Sequence, residues 1–467
     1  MAEFSLTRKQ ILAFSAPSIA VAWLIPPLYA IMADFYLRYS AATAAGIGTA
    51  MLVSKIVDAV TDPPVGCWSD LTRSRWGARK PWLAAGVVLS MLMFAVFFNP
   101  PEDAGNWYFF NGLVLYYIAF TLLQIPTRSW LGEITSSYED RSRVWSVYTI
   151  GLLVGGVIIM VTPILLSTVI PVFDSAEFDR DMISFIGWLG AVLLIVTMAI
   201  ALRFAPTGHR NEGQPPRLAT FFSVLSDVPP LRIFLLGFSL SALGFGIWYS
   251  IVVVALTSYF GFAERLPLFM LCMIGMQVVS IPIWERLARR FPKHQVWASA
   301  WAVYSFIGLL FLVFDENTQY FWGLVAVGGV MSILQGPHML FPVSIMSDIV
   351  DYDTWKNETS RSGNFFALFT FMDKVMHALG FGAGYYIIAV FGYNAKLDHN
   401  TDMAVWGLYS AIVFVPGILF LLSAITLWRF PIDAKKHRII RRAIERREER
   451  SHDQSKYSVH KHQESNQ

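Results

Sequence analysis

Apolar runs of 18 or more residues recur along the whole length of this chain, and that limits the folds open to it more than any other feature. Wound as a helix, one such run crosses a hydrocarbon core of about 30 Å. Lipid offers no water to satisfy backbone N–H and C=O groups, so a spanning segment must be a helix or part of a closed barrel. A barrel would show roughly ten-residue segments of alternating polarity, and the sequence has none. Composition agrees: 55% of the residues are hydrophobic and only 15% charged, where soluble domains carry about 25%. The chain is therefore expected to be an all-α membrane protein.

Twelve spans are expected, at 11–37, 42–69, 81–99, 106–131, 144–170, 182–204, 231–259, 266–287, 295–315, 319–347, 362–392 and 405–429. The first follows Arg8 and Lys9. It is too long for a signal-peptide core and lacks a small-x-small cleavage pattern, so it reads as a membrane helix. The polar, proline-rich stretch 205–230 divides the spans six and six. This gives an N-terminal unit 1–204, a linker 205–230, a C-terminal unit 231–429 and a basic tail 430–467. Cys67 and Cys272 both fall in apolar segments and read as small buried hydrophobes, not as a disulfide.

Lysine and arginine concentrate in alternate loops. Arg73, Arg75, Arg79 and Lys80 follow span two, Arg141 and Arg143 follow span four, and Arg286, Arg289, Arg290 and Lys293 follow span eight. The intervening loops are poorer in positive charge, with Arg38 in one, Arg180 in another and none in "PPEDAGN". By the positive-inside bias, the even loops and both termini are expected in the cytoplasm. The run "KKHRIIRRAIERREER" in the tail reads as a solvated, partly disordered segment that enforces this orientation. The alternative is a juxtamembrane helix drawn to anionic lipid.

Ionisable residues inside membrane spans are costly and mark function. Span two carries Lys55, Asp58 and Asp62 on one helical stripe, with Thr61 beside it. Two carboxylates one turn apart repel each other and invite protons or a hard cation such as Na⁺. One lysine leaves a surplus negative charge for something else to balance. In span four, Thr121, Gln124 and Arg128 share a face; Gln124 and Arg128 are candidates for substrate contact. Span eleven holds Asp373, Lys374 and His377. Lys374 is placed to counter either an anionic substrate or the carboxylates of span two, whereas a lone His377 reads as an interior histidine. Trp248 and Tyr249, among the glycines of "GFGIWYSI", are candidates for stacking against a sugar ring. No phosphate-binding G-x-x-x-x-G-K-[ST], no H-E-x-x-H and no metal-spaced cysteine pair occurs. No enzyme activity, cofactor or nucleic-acid partner is therefore expected.

Two sets of six helices with a long link resemble the major facilitator superfamily. Gly66, Asp70, Arg73, Gly77, Arg79 and Lys80 resemble its signature after span two in a lengthened form, and "WERLARRFPKH" is a degraded echo in the second half. Three blocks are more specific: "KIVDAVTDPPVGCWSDLTRSRWGARKPW", "FTLLQIPTRSWLGEI", and "SDIVDYDTWK", which contains Asp351, followed by Lys374. These resemble the glycoside–pentoside–hexuronide:cation symporters, typified by melibiose permease. The resemblance implies a cation-coupled, alternating-access symporter in the plasma membrane (the inner membrane of a bacterium), working as a monomer among lipids with a small-molecule substrate. It implies a cation site, for Na⁺ or H⁺, of Asp58, Asp62, Thr61 and Thr121, with Asp58 and Asp62 the metal ligands if the ion is Na⁺. A charge and gating network of Lys55, Asp70, Arg73, Arg79, Asp351 and Asp373 goes with it, and Lys374 matches the family's helix-eleven lysine. The chain departs from melibiose permease where that protein reads galactosides: span one has no acid at the matching place, Gln124 replaces another, and Arg128 replaces a tryptophan. A more positive cavity points to an anionic glycoside or hexuronide. A lysophospholipid or other amphiphile symporter, or an uncoupled lipid scramblase, are the alternatives.

Overall fold

A computed structural model of the protein describes residues 6–135, 138–208, 227–357, 361–433 and 435–447. Among these residues the secondary structure is helical, without strands. The first helices are α1 (Arg8–Ser15), α2 (Pro17–Val21), α3 (Pro26–Tyr39), α4 (Ala44–Leu71), α5 (Lys80–Phe97) and α6 (Asn106–Ile134). They are followed by α7 (Tyr138–Ile164), α8 (Arg180–Phe204), α9 (Pro229–Val254), α10 (Leu266–Arg290) and α11 (Lys293–Gly308). The last are α12 (Phe321–Leu334), α13 (Gly336–Asn357), α14 (Ser362–Val390), α15 (Asp402–Tyr409) and α16 (Val415–Trp428). Ten helical stretches among the described residues are long and apolar enough to cross a membrane. The other two expected spans are helical as well: α14, which carries Asp373, Lys374 and His377, and the interrupted α1–α3.

That interruption corrects the expectation of one continuous helix over 11–37. Pro17 and Pro26 each stand at the first position of a new helix. Proline has no N–H to continue the ladder behind it, but its fixed φ suits a helix start. A second correction concerns span ten. The helix does not stop near 347 but runs to Asn357, so Asp351 lies on a helix, not in a loop. Polarity rises after 347, but no proline or glycine between 348 and 357 breaks the helix. Of the linker 205–230, residues 209–226 lie outside the described residues.

The start of the tail is also more ordered than expected. Residues 435–447 form a helix. The Asp433 carboxylate accepts hydrogen bonds from the backbone N–H of Lys435 at 3.0 Å and Lys436 at 2.8 Å. These bonds, that to Lys436 foremost, lower the Asp433 pKa below the usual carboxylate value. Ile440 and Ile444, one turn apart, are both buried. His437 and Arg441 reach Asp351 on α13 at 3.0 and 3.5 Å, so this helix is docked on the protein. Residues 448–467 lie outside the described residues. Both cysteines are free, but Cys67 is exposed, against the expectation of burial.

The helices pack in two groups, α1–α8 and α9–α16, which meet where α4 lies on α14, α7 on α10 and α3 on α9. Small residues allow close approach there, as in membrane helix pairs generally. A Cβ added at Gly48 would come within 3.0 Å of the Gly382 carbonyl, and one at Gly380 within 2.5 Å of the Leu243 carbonyl. α14 is thus held tightly between α4 and α9.

Polar ties between the groups gather at the arginine-poor end. The Thr257 hydroxyl donates to the Asp34 carboxylate at 2.8 Å, and Lys396 Nζ to the Ser40 carbonyl at 2.5 Å. The hydroxyls of Thr49 and Tyr386 also meet. Asp34 is fully buried and pairs with Arg38 at 3.0 Å. At the arginine-rich end the ion pairs among the described residues stay within one group, as in Arg361–Asp353 at 2.6 Å and Lys293–Asp348 at 3.5 Å. If the Asp34–Thr257 tie holds the arginine-poor end shut, Thr257→Val should open that end more often. A hydrogen bond to a charged group contributes ~1.5–3 kcal/mol, so labelling of a Met51→Cys thiol from that side should speed up about tenfold. An unchanged rate would show that the tie does not control opening.

Candidate coupling and substrate site

On α4, Lys55, Asp58 and Asp62 follow at steps of three and four and so face one way. They face Thr121 of α6 and Lys374 of α14. The Thr121 hydroxyl lies 3.2 Å from Asp58 Oδ1 and 3.0 Å from Asp62 Oδ1. Lys374 Nζ lies 3.3 Å from Asp58 Oδ2 and also pairs with Asp62. Lys55 Nζ stands 3.5 Å from Asp58 Oδ2 and 4.3 Å from the centre of the Tyr117 ring, a cation–π contact. Asp58 is 2% exposed, whereas the Asp62 side chain is 20% exposed.

The cluster therefore holds two carboxylates and two ammonium groups. The surplus negative charge expected on α4 is met by Lys374 from the other group of helices, which a reading of α4 alone cannot supply. Lys374 was expected at substrate or carboxylates, and the structure seats it on the carboxylates, at the edge of a cavity. Thr61 differs from the expected cation set: its hydroxyl donates to the Asp58 backbone carbonyl at 3.1 Å and not to either carboxylate. Among the described residues no group of three or more His, Cys, Asp or Glu could hold a metal ion. The oxygens gathered here come from Asp58, Asp62 and Thr121, which suits a small hard cation or a proton.

Beside the cluster lies a cavity of about 360 Å³, lined by Lys55, Tyr249, Asp373 and Lys374 among others. Three expected substrate residues stand apart from it. Trp248 is buried against Tyr304, with ring centres 6.3 Å apart. Gln124 and Arg128 do share the Thr121 face of α6, but the helix rise carries Arg128 about 10 Å beyond Thr121, toward the arginine-rich end. Arg128 is exposed there and makes no ion pair among the described residues. Sequence reading missed His338, Phe245 and Phe369, which do line the cavity. A histidine in the apolar run "GPHMLFP" was the available signal for the first. His377 lines it too, its Nδ1 2.9 Å from the Asp373 carbonyl and 3.1 Å from Asp373 Oδ1.

The expected charge network forms in part. Arg79 pairs with Asp70, and donates to Glu133 and Ser69 at 2.7 Å each. Glu133 was not foreseen, and Asp70 finds its arginine within its own group. Arg73 is exposed and makes no ion pair among the described residues. Asp351 binds the tail helix as described above.

This geometry can be compared with known proteins. Residues 13–434 match the family described as MFS/sugar transport protein, where MFS is the major facilitator superfamily. The chain belongs to that family. The inner membrane symporter YicJ of Escherichia coli K12 is 24% identical over 409 residues, covering 85% of this chain and 86% of that protein. The glucuronide carrier protein homolog of Escherichia coli K12 is 23% identical over 423 residues, covering 87% and 89%. A crystal structure of the nucleoside transporter NupG superposes with a TM-score of 0.61 at 12% identity, covering 91% of this chain and 98% of that one. The family membership bears out the resemblance to the glycoside–pentoside–hexuronide:cation symporters. This MFS protein is a multi-pass membrane transporter of symporter type, not an enzyme.

Proposed function

We propose that this transporter couples entry of an anionic, sugar-like solute to a cation, Na⁺ or H⁺, bound by Asp58, Asp62 and Thr121. The observation that carries the reading is the Lys374 ammonium bridging both carboxylates at the cavity edge. A cation can take the carboxylates only when Lys374 leaves them. An anionic substrate in the cavity gives that ammonium another partner. Each ligand then favours binding of the other, which is the reciprocity coupling requires. The glucuronide carrier protein homolog among the relatives fits an anionic substrate. With the arginine-rich end in the cytoplasm, the ties at the opposite end close the outer side and leave the cavity facing inward.

Uptake of phenyl β-D-glucuronide into proteoliposomes, with an inward Na⁺ gradient, an inward proton gradient or neither, tests this. Accumulation above the external concentration under one gradient only is the expected result. Equal uptake with and without gradients would overturn the coupling.

A further inference from the structure

The tail helix, residues 435–447, has two faces of different character. One is pinned to the protein. His437 stands 3.0 Å from Asp351 and 3.5 Å from Asp348, and Arg441 stands 3.5 Å from Asp351, both acids lying on α13. Arg447 donates to the Trp355 carbonyl at 2.8 Å, and Ile440 and Ile444 are buried on the same side. The opposite face carries Lys435, Arg438, Arg442 and Arg446 at steps of three and four, all exposed. Ile439 lies among them and is 67% exposed. Glu445, the one acid of this helix, sits at the edge of that face and is engaged by Arg441, whose Nε is 3.7 Å away.

A helix fixed by one face holds the other in place, so the four bases act as one array and not as a solvated tail. The helix begins shortly after Trp428, the last residue of α16, which is 55% exposed. Arg438 shares a cavity of about 190 Å³ with Phe291, just past the end of α10, where Arg289, Arg290 and Phe291 are all exposed. Bases and exposed large apolar side chains therefore meet at the arginine-rich end of the spans, as at a membrane–water boundary. A soluble polyanion would satisfy the bases alone. Ile439, Trp428 and Phe291 gain only from a partner with an apolar layer beneath its charges. We propose that this face of the tail helix binds the anionic phospholipid headgroups of the surrounding bilayer. Their phosphates meet Lys435, Arg438, Arg442 and Arg446, and Ile439 turns toward the acyl boundary. Through Asp348 and Asp351 the lipid surface then holds the end of α13, the helix that carries Met339 and Val343 to the wall of the cavity beside Lys374.

A bimane fluorophore on Ile439→Cys, in the full-length protein with Cys67→Ser and Cys272→Ala, tests this. The protein is reconstituted into phosphatidylcholine vesicles with increasing phosphatidylglycerol and a fixed trace of nitroxide-labelled phosphatidylcholine as quencher. Both leaflets have the same composition, so the readout does not depend on orientation. Quenching should rise with the phosphatidylglycerol fraction and fall in high salt, which screens the bases. Each Lys or Arg near an anionic surface contributes roughly fivefold in association. Arg442→Gln should therefore raise the phosphatidylglycerol fraction needed for half-maximal quenching several-fold. Combining Lys435→Gln, Arg442→Gln and Arg446→Gln should abolish quenching and keep the parent melting temperature in detergent, since these side chains point away from the docked face. The salt and single-variant series decide the point even if the triple variant melts lower. Equal quenching in pure phosphatidylcholine, or quenching that survives the triple substitution, would overturn the proposal. So would a fluorophore that stays unquenched in every vesicle, which leaves the basic face to a soluble acidic partner.

Discussion

Asp62→Asn is expected to abolish accumulation against a gradient while leaving a folded protein that still binds substrate. Asparagine keeps the shape, and its oxygen still accepts from Thr121. The cluster, however, goes from balanced to one excess positive charge. Two unit charges about 4 Å apart at an effective dielectric of 20 interact by ~4 kcal/mol, so the loss in cation affinity is roughly a thousandfold. Asp58→Asn should behave differently. Asp58 is fully buried with both Lys55 and Lys374 on it, and stranding buried charges costs ~3–5 kcal/mol. That variant should lose stability as well as coupling, seen as a lower melting temperature in detergent. Concentrative uptake by Asp62→Asn would remove the carboxylate pair from the mechanism.

Lys374→Met should stop transport yet strengthen cation binding. Without the ammonium, Asp58 and Asp62 face only Lys55, and the cluster gains a net negative charge that attracts a cation. No substrate is then needed to free the carboxylates, so cation binding and substrate binding come apart. Titrating the driving cation against melting temperature reads this directly, since a ligand that binds only the folded state stabilises it by RT ln(1 + c/Kd) at free concentration c. The melting temperature should begin to rise at a cation concentration at least about tenfold lower than in the parent protein. If the variant binds the cation more weakly, Lys374 helps to build the site and does not compete for it.

Much of this arrangement was legible in the sequence because it follows from helical period and solvation cost. The stripe of Lys55, Asp58 and Asp62 needs only the spacing of α4. The partner that completes it could not be fixed that way. Lys374 is more than 300 positions later, and only the packing of α14 on α4, allowed by Gly48 and Gly382, decides that it meets the carboxylates. The same limit explains Trp248 and Tyr249: adjacent residues point to different sides of a helix, and only the neighbours determine which side is the cavity. Helix ends judged from polarity were also misplaced, as at Asp351, because polarity reports the lipid boundary and not where the helix ends. The breaks at Pro17 and Pro26 were readable, and treating 11–37 as one span overlooked them.

The balanced cluster also bears on membrane voltage. The two carboxylates and two ammonium groups of Asp58, Asp62, Lys55 and Lys374 sum to zero, so this cluster by itself carries no net charge through the field as the protein reorients. Loaded with a monovalent cation and a monovalent anion it again sums to zero. Each charge moved through the membrane potential is worth about 2.3 kcal/mol per 100 mV, and on the proposed one-to-one coupling this cluster would move none in either direction. Under the coupling proposed above, such a carrier would be driven by the concentration gradient of its ion and not by the membrane potential. A neutral glycoside travelling with the same cation would carry one positive charge inward and would be driven by the potential as well.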